Sequence, residues 1–319
     1  MRRIAVLTSG GDAPGMNAAV RAVVRLGTAR GVELVGVRRG FLGLIQGDAV
    51  PLDSNAVGGI VEKGGTILRS ARCPAFLTEA GRTKAAATLR RLDVDGLVVI
   101  GGNGSQSGAQ MLHALGFPTV GVASTIDNDF PAFDLTIGAD TAVNTIVGAI
   151  DRIRDTATAH ERTFVIETMG RGCGWLALHA ALATGADIVL IPEIPWTLED
   201  VARRVVDRQR AQKAHTLVVL AEGAGEGVAL ARQLSERTGV EVRATVLGHV
   251  QRGGAPSAFD RVLASRCAAA ATQVLLGGGS GVIAGLCAGS VRTVPMAEAL
   301  SGTRAVDIAL YELEGVFTL

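Results

Sequence analysis

Two aspartates, Asp127 and Asp129, lie two residues apart in the motif TIDND, which begins at Thr125 directly after an apolar run. One carboxylate at such a position can accept a proton from a hydroxyl group while the other supports a metal ion. Phosphoryl transfer to an alcohol needs this pairing, because the protein contributes mainly positioning and charge stabilisation to that reaction. An Asp-Asn-Asp sequence ahead of Phe-Pro also suits an ordinary turn. The motif alone therefore leaves both interpretations open.

Two glycine-rich loops could add contacts to phosphate. The loop TSGGDAPGMN begins at Thr8 and the loop GGNGS begins at Gly101, and each stands between a predicted strand and a predicted helix. The backbone amides of such a loop can approach a phosphate, and the helix N-terminus adds favourable partial charge. Neither loop matches the Walker A pattern, and the sequence contains no GxGxxG fingerprint, which argues against a dinucleotide-dependent dehydrogenase. Each loop is weak evidence by itself, but the two loops and the aspartate pair support one another.

Several arginines fall in predicted loops or at predicted element ends, where a guanidinium can bind a phosphate bidentately at any pH. These residues are Arg72, Arg162, Arg171, Arg243 and Arg252. Glu222 follows a predicted strand and could either bind sugar hydroxyls or cap the next turn. Arg21 and Arg25 share one helical face because they are four residues apart. They form either a solvated stripe or, with Arg154 or Lys213, a second anion site.

The elements that position these residues alternate between strands and helices. Apolar, β-branched runs predict strands at Arg3–Thr8, Glu33–Val37, Gly96–Ile100, Thr119–Ala123, Thr163–Thr168, Ile188–Ile191, Thr216–Ala221, Glu241–Leu247 and Val282–Leu286. Helical patterns predict helices at Met16–Arg30, Lys84–Arg91, Ser105–Leu115, Thr141–Thr158, Trp175–Ala183, Leu198–Gln212, Ala229–Thr238 and Asp260–Leu276. Strands that are apolar throughout and separated by helices are typical of parallel sheets covered on both faces. We predict an α/β protein with two doubly wound, Rossmann-like lobes that bind ligands at the carboxyl ends of their strands.

Composition excludes several classes of protein. The net charge of +1 gives no indication of a nucleic-acid partner, and the four cysteines form no CxxC pair, which argues against structural zinc and for a reducing compartment. The N-terminal apolar run is too short for a signal peptide. The uncharged stretch around Cys267–Val291 is interrupted by glycines, and we interpret it as a helix, a turn and a strand, not as a membrane span. We expect a cytoplasmic protein without membrane contact.

The sequence resembles the bacterial 6-phosphofructokinases over nearly its whole length. The segments that carry the resemblance are LTSGGDAPGMNAAVR from Leu7, GGT from Gly64, SAR from Ser70, VVIGGNGS from Val98, TIDND from Thr125, ETMGR from Glu167 and RATVLGHVQRGG from Arg243. The resemblance implies transfer of a phosphoryl group from ATP to fructose 6-phosphate, with Mg²⁺, in a homotetramer whose subunits share active sites. It also implies a larger nucleotide-binding lobe (residues 1–138 and 251–301) and a smaller sugar-phosphate-binding lobe (residues 139–250 and 302–319).

The resemblance further implies roles for the matching residues. Asp127 is expected to act as the general base on the sugar's 1-hydroxyl, Arg72 and Arg171 to offset charge on the transferred phosphoryl group, and Asp129 to support the magnesium ion. The nucleotide site is expected to contain Gly11, Arg72, Cys73, Gly102, Asn103, Gly104 and Ser105. The sugar phosphate is expected to contact Thr125, Asp127, Arg162, Met169, Gly170, Arg171, Glu222, Arg243, His249 and Arg252, with Arg162 and Arg243 supplied by a neighbouring subunit.

The family's effector site, which responds to nucleoside diphosphates such as ADP and to phosphoenolpyruvate, corresponds to Arg21, Arg25, Arg154, Asp187 and Lys213. The match is thinner here than at the active site. Ser54 replaces a frequent arginine, Ala211 and Ala214 replace frequent lysines, and Asp187 replaces a frequent glutamate. We expect weaker anion binding than is usual, so allosteric control is a hypothesis.

Two departures from the family pattern bear on the chemistry. Asn103 stands where the family has an aspartate that supports magnesium. Because two unit charges ~4 Å apart attract by roughly 4 kcal/mol at an effective dielectric constant of ~20, we expect weakened use of magnesium and lowered turnover. A catalytically impaired regulatory subunit is the alternative. Ser124 stands where ATP-using members commonly have glycine and pyrophosphate-using members have lysine; with Gly104 leaving room for adenine, ATP is favoured over pyrophosphate.

Overall fold

A computed structural model describes residues 1–317 of the chain. The strands are β1 Arg3–Ser9, β2 Glu33–Val37, β3 Ala49–Leu52, β4 Gly96–Gly101, β5 Thr119–Ala123, β6 Thr163–Thr168, β7 Ile188–Leu190, β8 Thr216–Ala221, β9 Val242–Val246, β10 Val282–Cys287 and β11 Ser290–Pro295. The helices are α1 Met16–Ala29, α2 Gly40–Gln46, α3 Glu79–Arg91, α4 Asn103–Ala114, α5 Ala139–Ala159, α6 Trp175–Thr184, α7 Leu198–Arg210, α8 Gly227–Thr238, α9 Ala258–Leu276, α10 Met296–Ala299 and α11 Ile308–Phe317. Two 3₁₀ segments span Pro74–Leu77 and Gly248–Arg252.

The chain forms two compact units. The first unit contains Met1–Ile126, Phe130–Thr141 and Arg252–Thr303. The second unit contains Asp127–Asp129, Ala142–Gln251 and residues 304–317. The aspartates of the TIDND motif thus belong to the second unit, whereas the threonine that begins the motif belongs to the first.

The first unit is built on a seven-stranded sheet with the order β11-β10-β5-β4-β1-β2-β3. The five inner strands run parallel, and the two edge strands, β3 and β11, pair antiparallel with their neighbours. Every residue of β4 and β5 is buried, as expected where helices cover both faces of a parallel sheet. Leu7, Leu97 and Phe130 are among the fully buried side chains of this core.

The second unit has a four-stranded sheet with the order β7-β8-β6-β9, and all its strand pairs are parallel. Every residue of β8 is buried. Val165, Val218 and Leu234 form part of a hydrophobic cluster with residues of α7 and α8. The predicted α/β class with mainly parallel sheets and flanking helices is confirmed.

The differences from the predicted elements have local causes. Helix α3 begins five residues before the predicted Lys84, because the hydroxyl of Thr78 caps it by accepting a hydrogen bond from Gly81 N at 3.1 Å. Helix α4 begins at Asn103, two residues before the predicted Ser105. The short strands β3 and β11 and the helices α2, α10 and α11 were not predicted. The uncharged stretch after Cys267 does form a helix, a turn and a strand, and none of the helices within residues 1–317 has the length and apolar character needed to cross a membrane.

Candidate active site

In the first unit, three parallel neighbours, β1, β4 and β5, end at one edge of the sheet. Their last residues are in register, with Ser9 beside Gly101 and Gly101 beside Ala123. A Cβ atom on Gly101 would lie 2.5 Å from the carbonyl oxygen of Ser9, so a side chain here would separate the strands. The glycine-rich loops that follow β1 and β4 are therefore brought together, as the topology of a parallel sheet requires.

The loop after β4 leads into α4 with Gly102 at the N-cap and Asn103 as the first helical residue. A Cβ atom on Gly102 would lie 3.2 Å from the Cβ atom of Thr125, which is itself buried. Gly104 faces open space, since a Cβ atom there would meet nothing within 4 Å, while Ser105 is buried. The structure thus places Thr125 beside the N-terminus of a helix, an arrangement suited to binding an anion.

Gln106, which sequence reasoning missed, holds this edge together. The two hydrogens of its fully buried Nε2 are shared among three carbonyl oxygens within hydrogen-bonding distance, those of Val99 at 3.0 Å, Gly101 at 3.1 Å and Val122 at 3.0 Å. These three acceptors belong to β4 and β5. A polar residue in the first turn of a helix that follows a glycine loop is a weak signal, and only the side-chain contacts reveal its role.

The loop after β1 contacts an arginine of the same unit. Nη1 of Arg252 donates a hydrogen bond to the carbonyl oxygen of Asp12 at 3.1 Å. A Cβ atom on Gly11 would lie 2.4 Å from that nitrogen, so any side chain at position 11 would displace the guanidinium group. Arg72 is exposed, and Cys73, a free thiol, stands at the start of the 3₁₀ segment Pro74–Leu77.

In the second unit, the carboxylate of Asp127 is buried and faces the guanidinium of Arg171. The side chain of Asp127 is 3% exposed, and its Oδ2 lies 3.4 Å from Nε of Arg171. Asn128 has a left-handed backbone with φ 49°, which turns the chain sharply between the two aspartates. Oδ1 of Asp129 is buried and has no hydrogen-bond partner within the described residues.

The loop that carries Arg171 is fixed through its backbone. Oε1 of Glu222 accepts hydrogen bonds from Gly170 N at 3.2 Å and from Arg171 N at 2.8 Å. Both loop residues have positive φ angles, 135° for Gly170 and 53° for Arg171. A non-glycine residue in this conformation is uncommon and needs support from its surroundings. A Cβ atom on Gly223 would lie 2.0 Å from the carbonyl oxygen of Arg171, so close packing provides that support. Oε1 of Glu222 therefore holds the backbone of the loop that carries Arg171.

Two further arginines share one carboxylate. Nε of Arg162 lies 2.9 Å from Oε2 of Glu241, and Nε of Arg243 lies 2.8 Å from Oε1 of the same residue. Hydrogen bonding from Arg243, together with Arg162, lowers the pKa of Glu241. Sequence reasoning did not single out Glu241, whose only signal is its position two residues before Arg243. His249 is exposed in the 3₁₀ segment that follows β9.

The residues matched to the effector site are divided between the units, with Arg21 and Arg25 on α1 of the first unit. In the second unit, Arg154 contacts Nε2 of His215 at 3.2 Å, while Lys213 is exposed. Asp187 is buried, accepts a hydrogen bond from Leu217 N at 2.7 Å and pairs with Arg208. Its carboxylate is thus engaged inside the fold.

The residues present fit a magnesium ion that is bound together with phosphates. Among residues 1–317, no three His, Cys, Asp or Glu side chains group closely enough to hold a metal ion by themselves. Magnesium does not need such a group, since it usually binds one or two carboxylates, water and substrate phosphates. The buried, unpartnered Oδ1 of Asp129 is an oxygen of the required kind.

Comparison with known proteins shows the family of this chain. The family model for phosphofructokinase matches residues 3–275, and the chain belongs to that family. Among curated relatives, the chain is 51% identical over 313 residues to the ATP-dependent 6-phosphofructokinase of Halalkalibacterium halodurans, with 98% of each chain covered. It is 49% identical over 318 residues to the enzyme of the same name from Clostridium acetobutylicum, with 100% of each covered. Among solved structures, it resembles the phosphofructokinase of Saccharomyces cerevisiae with a TM-score of 0.89 and 34% identity, covering 100% of this chain and 48% of the yeast chain.

Proposed function

We propose that this protein is an ATP-dependent 6-phosphofructokinase, which transfers the γ-phosphoryl group of ATP to the 1-hydroxyl of fructose 6-phosphate. The observation that carries the proposal is the buried carboxylate of Asp127 beside the guanidinium of Arg171. This is a base next to a cation, as transfer of a phosphoryl group to an alcohol requires. The names of the relatives that match over the full length support it.

The first unit would serve as the nucleotide-binding lobe. Its candidate residues are Gly11, Arg72, Cys73, Gly102, Asn103, Gly104 and Ser105. The N-terminus of α4, where Gly104 is exposed, would offer backbone N–H groups to the phosphates. Open space at Gly104 supports an adenine nucleotide over pyrophosphate as the donor, and Ser124 offers no cation to bind pyrophosphate.

The second unit would serve as the sugar-phosphate-binding lobe and would supply the base. Asp127 takes the proton from the 1-hydroxyl, the sugar oxygen forms a bond to the γ-phosphorus, and the bond from that phosphorus to ADP breaks. Arg171 and Arg72 offset the charge that develops on the transferred group. Thr125 contacts both sugar and phosphoryl group. Magnesium, held by Asp129 and the amide oxygen of Asn103, would neutralise phosphate charge when bound.

The sugar would be held by Met169, Gly170 and Glu222, and its 6-phosphate by Arg162, Arg243, His249 and Arg252. The Glu241 carboxylate between Arg162 and Arg243 supports this assignment, because it shows that two guanidinium groups converge on one anionic group. We further propose that Arg162 and Arg243 act on the sugar phosphate of a neighbouring subunit in a cytoplasmic homotetramer.

Effector control by ADP or phosphoenolpyruvate is proposed to be weak. The carboxylate of Asp187 is already bound by Leu217 N and Arg208, which leaves it less able to serve a ligand. Saturation curves for fructose 6-phosphate, measured with and without each effector, test this expectation. Curves that shift strongly with either effector would contradict it.

One coupled assay tests the function. Initial rates with ATP and with pyrophosphate, at saturating fructose 6-phosphate and over a range of magnesium concentrations, should show turnover with ATP only. A preference for pyrophosphate would identify the pyrophosphate-dependent enzyme. Absence of turnover with either donor, together with retained sugar-phosphate binding, would favour the regulatory subunit suggested by Asn103.

A further inference from the structure

Gln251 is a completely buried polar residue of the second unit, within the 3₁₀ segment Gly248–Arg252. Both ends of its side-chain amide are bound to backbone groups. Oε1 accepts a hydrogen bond from Met169 N at 3.1 Å, and Nε2 donates one to the carbonyl oxygen of Gly248 at 3.0 Å. The side chain therefore joins two segments that are 82 residues apart in sequence.

The two joined segments lie just beyond the point where backbone pairing between β6 and β9 stops. Past the paired strands, Leu247 N still donates to the carbonyl oxygen of Glu167 at 3.1 Å. Beyond that bond, Met169 N is held by the Gln251 side chain. On the other flank, Glu222 N donates to the carbonyl oxygen of Thr168 at 2.8 Å. The end of β6 is thus anchored to both of its neighbours, and Gln251 is the anchor on the β9 side.

The loop anchored in this way begins with Met169 and continues through Gly170 to Arg171. Arg171 adopts an uncommon backbone conformation and faces the carboxylate of Asp127. The segment on the other side of the anchor contains His249, two residues before Gln251. The buried side chain of Gln251 thus fixes the spacing between the loop that carries Arg171 and the 3₁₀ segment that carries His249.

We propose that Gln251 is a positioning residue of the sugar-phosphate site, which sets the distance between the groups that hold the sugar ring and those that hold its 6-phosphate. This inference rests on the proposed function. Both contacts of Gln251 are to backbone atoms of the second unit, which we assign to the sugar phosphate. Removal of its side-chain amide should therefore impair recognition of fructose 6-phosphate and leave recognition of ATP unchanged. A residue that merely stabilised the fold would affect both substrates alike.

The first test replaces Gln251 by leucine, which keeps the size of the side chain and removes both hydrogen bonds. We expect KM for fructose 6-phosphate to rise by about tenfold, the loss expected for a buried hydrogen-bonding group, with KM for ATP unchanged. The matched control is Gln233→Leu, the same substitution at an exposed position of α8. Equal changes in the two KM values, or no change in either, would overturn the proposal.

The second test replaces Gln251 by glutamate and compares the variant with the unaltered protein at each pH. An ionised carboxylate can accept from Met169 N but repels the carbonyl oxygen of Gly248, whereas a protonated carboxyl restores both hydrogen bonds. Burial favours the protonated form, so KM for fructose 6-phosphate should approach that of the unaltered protein as the pH falls. Gln251→Leu should show no such recovery. If KM for fructose 6-phosphate in Gln251→Glu does not approach the value of the unaltered protein at low pH, the arrangement with two hydrogen bonds is contradicted.

A third measurement is independent of catalysis and separates this proposal from the proposed function. Amide hydrogen exchange of a peptide that contains Met169 should be faster in Gln251→Leu than in the unaltered protein, with the core strand β8 unchanged. Unchanged exchange at Met169 would refute the anchoring role even in an active enzyme. Faster exchange in a protein that does not phosphorylate fructose 6-phosphate would instead refute the proposed function and retain the anchor.

Discussion

The side chains of Asp127 and Arg171 meet with Nε 3.4 Å from Oδ2, yet they differ sharply in exposure: the aspartate is 3% exposed and the arginine 67%. The carboxylate is therefore held inside the protein, while most of the arginine side chain lies in solvent, where a phosphate could reach it. A buried acceptor and an accessible cation suit the two parts of phosphoryl transfer, proton removal and charge stabilisation.

Replacing Asp127 by asparagine should abolish most of the activity without unfolding the protein. The amide keeps the size of the carboxylate but cannot accept the proton, so kcat should fall by ~10²–10⁴-fold, the usual contribution of a general base. KM for ATP should stay the same. Steady-state kinetics of Asp127→Asn and of Asp151→Asn, an exposed control on α5, would decide the matter. Turnover at the normal rate in Asp127→Asn would show that Asp127 is not the general base.

Restoring a carboxylate by Asn103→Asp should lower the magnesium concentration needed for half-maximal activity by at least about threefold, because a charged oxygen attracts the divalent ion more strongly than an amide oxygen. The change lies at the first residue of α4, where a carboxylate also suits the partial positive charge of the helix N-terminus. Magnesium titrations at saturating ATP and fructose 6-phosphate provide the measurement.

The matched control for this substitution is Asn55→Asp, which makes the same change at an exposed residue. KM for fructose 6-phosphate should be unaffected in both variants, since we assign Asn103 to the nucleotide and the metal ion and not to the sugar phosphate. A magnesium dependence that is identical in Asn103→Asp and the unaltered protein would show that position 103 does not contact the ion.

Much of the fold could be predicted from the sequence because strands such as β4, β5 and β8 are buried on both faces. Apolar runs such as Thr119–Ala123 and Thr216–Ala221 match the observed strands at both ends. Strand β3 could not be recognised because it has only four residues, one of them Pro51. Strand β3 forms only because the backbone of β2 supplies its hydrogen-bonding partners. Helix α2 contains two glycines, at positions 40 and 43, and its helical state depends on packing that no local pattern shows.

The candidate site was less accessible to sequence reasoning than the strands that carry it. Placement of glycine loops and acidic residues after strands follows from the alternation of elements. The partners of each side chain do not: nothing in the sequence indicates that Glu222 binds the backbone of Arg171, or that Glu241 pairs with two arginines. Glu222 and Arg171, like Glu241 and Arg162, are far apart in the chain, so these contacts appear only once the sheet register is known.

The Glu241 contact yields a prediction about the affinity for the sugar phosphate. Glu241 is exposed and binds both Arg162 and Arg243, so it competes with any phosphate for the same guanidinium groups. Glu241→Gln removes the competing charge, and KM for fructose 6-phosphate should fall about two- to fivefold, the range expected for exposed ion pairs. The control, Glu236→Gln, makes the same charge change at an exposed site on α8. A higher KM in Glu241→Gln alone would mean that the carboxylate orients the arginines.

A buried acid outside the candidate site makes the stability of the protein depend on pH. Glu314 on α11 is 4% exposed, and its Oε1 has no hydrogen-bond partner among residues 1–317. Burial raises the pKa of Glu314 from 4.5 to about 7; the charge of Arg204 lowers it in part, and that of Asp187 adds to the rise. The folded protein thus binds this proton more tightly than the unfolded chain does.

The consequence is a loss of stability with rising pH. Glu314 contributes its full share below the unfolded pKa of 4.5 and loses it as the pH rises through the folded pKa of about 7. The loss amounts to at most about 3 kcal/mol, since each pKa unit corresponds to ~1.4 kcal/mol. Thermal unfolding followed from pH 5 to pH 8 should show a falling Tm, and Glu314→Gln should reduce that slope because glutamine does not ionise. Glu312→Gln, at an exposed position of the same helix, should leave the slope intact. If the slopes of Glu314→Gln and the unaltered protein coincide, the pH dependence of stability arises from other groups.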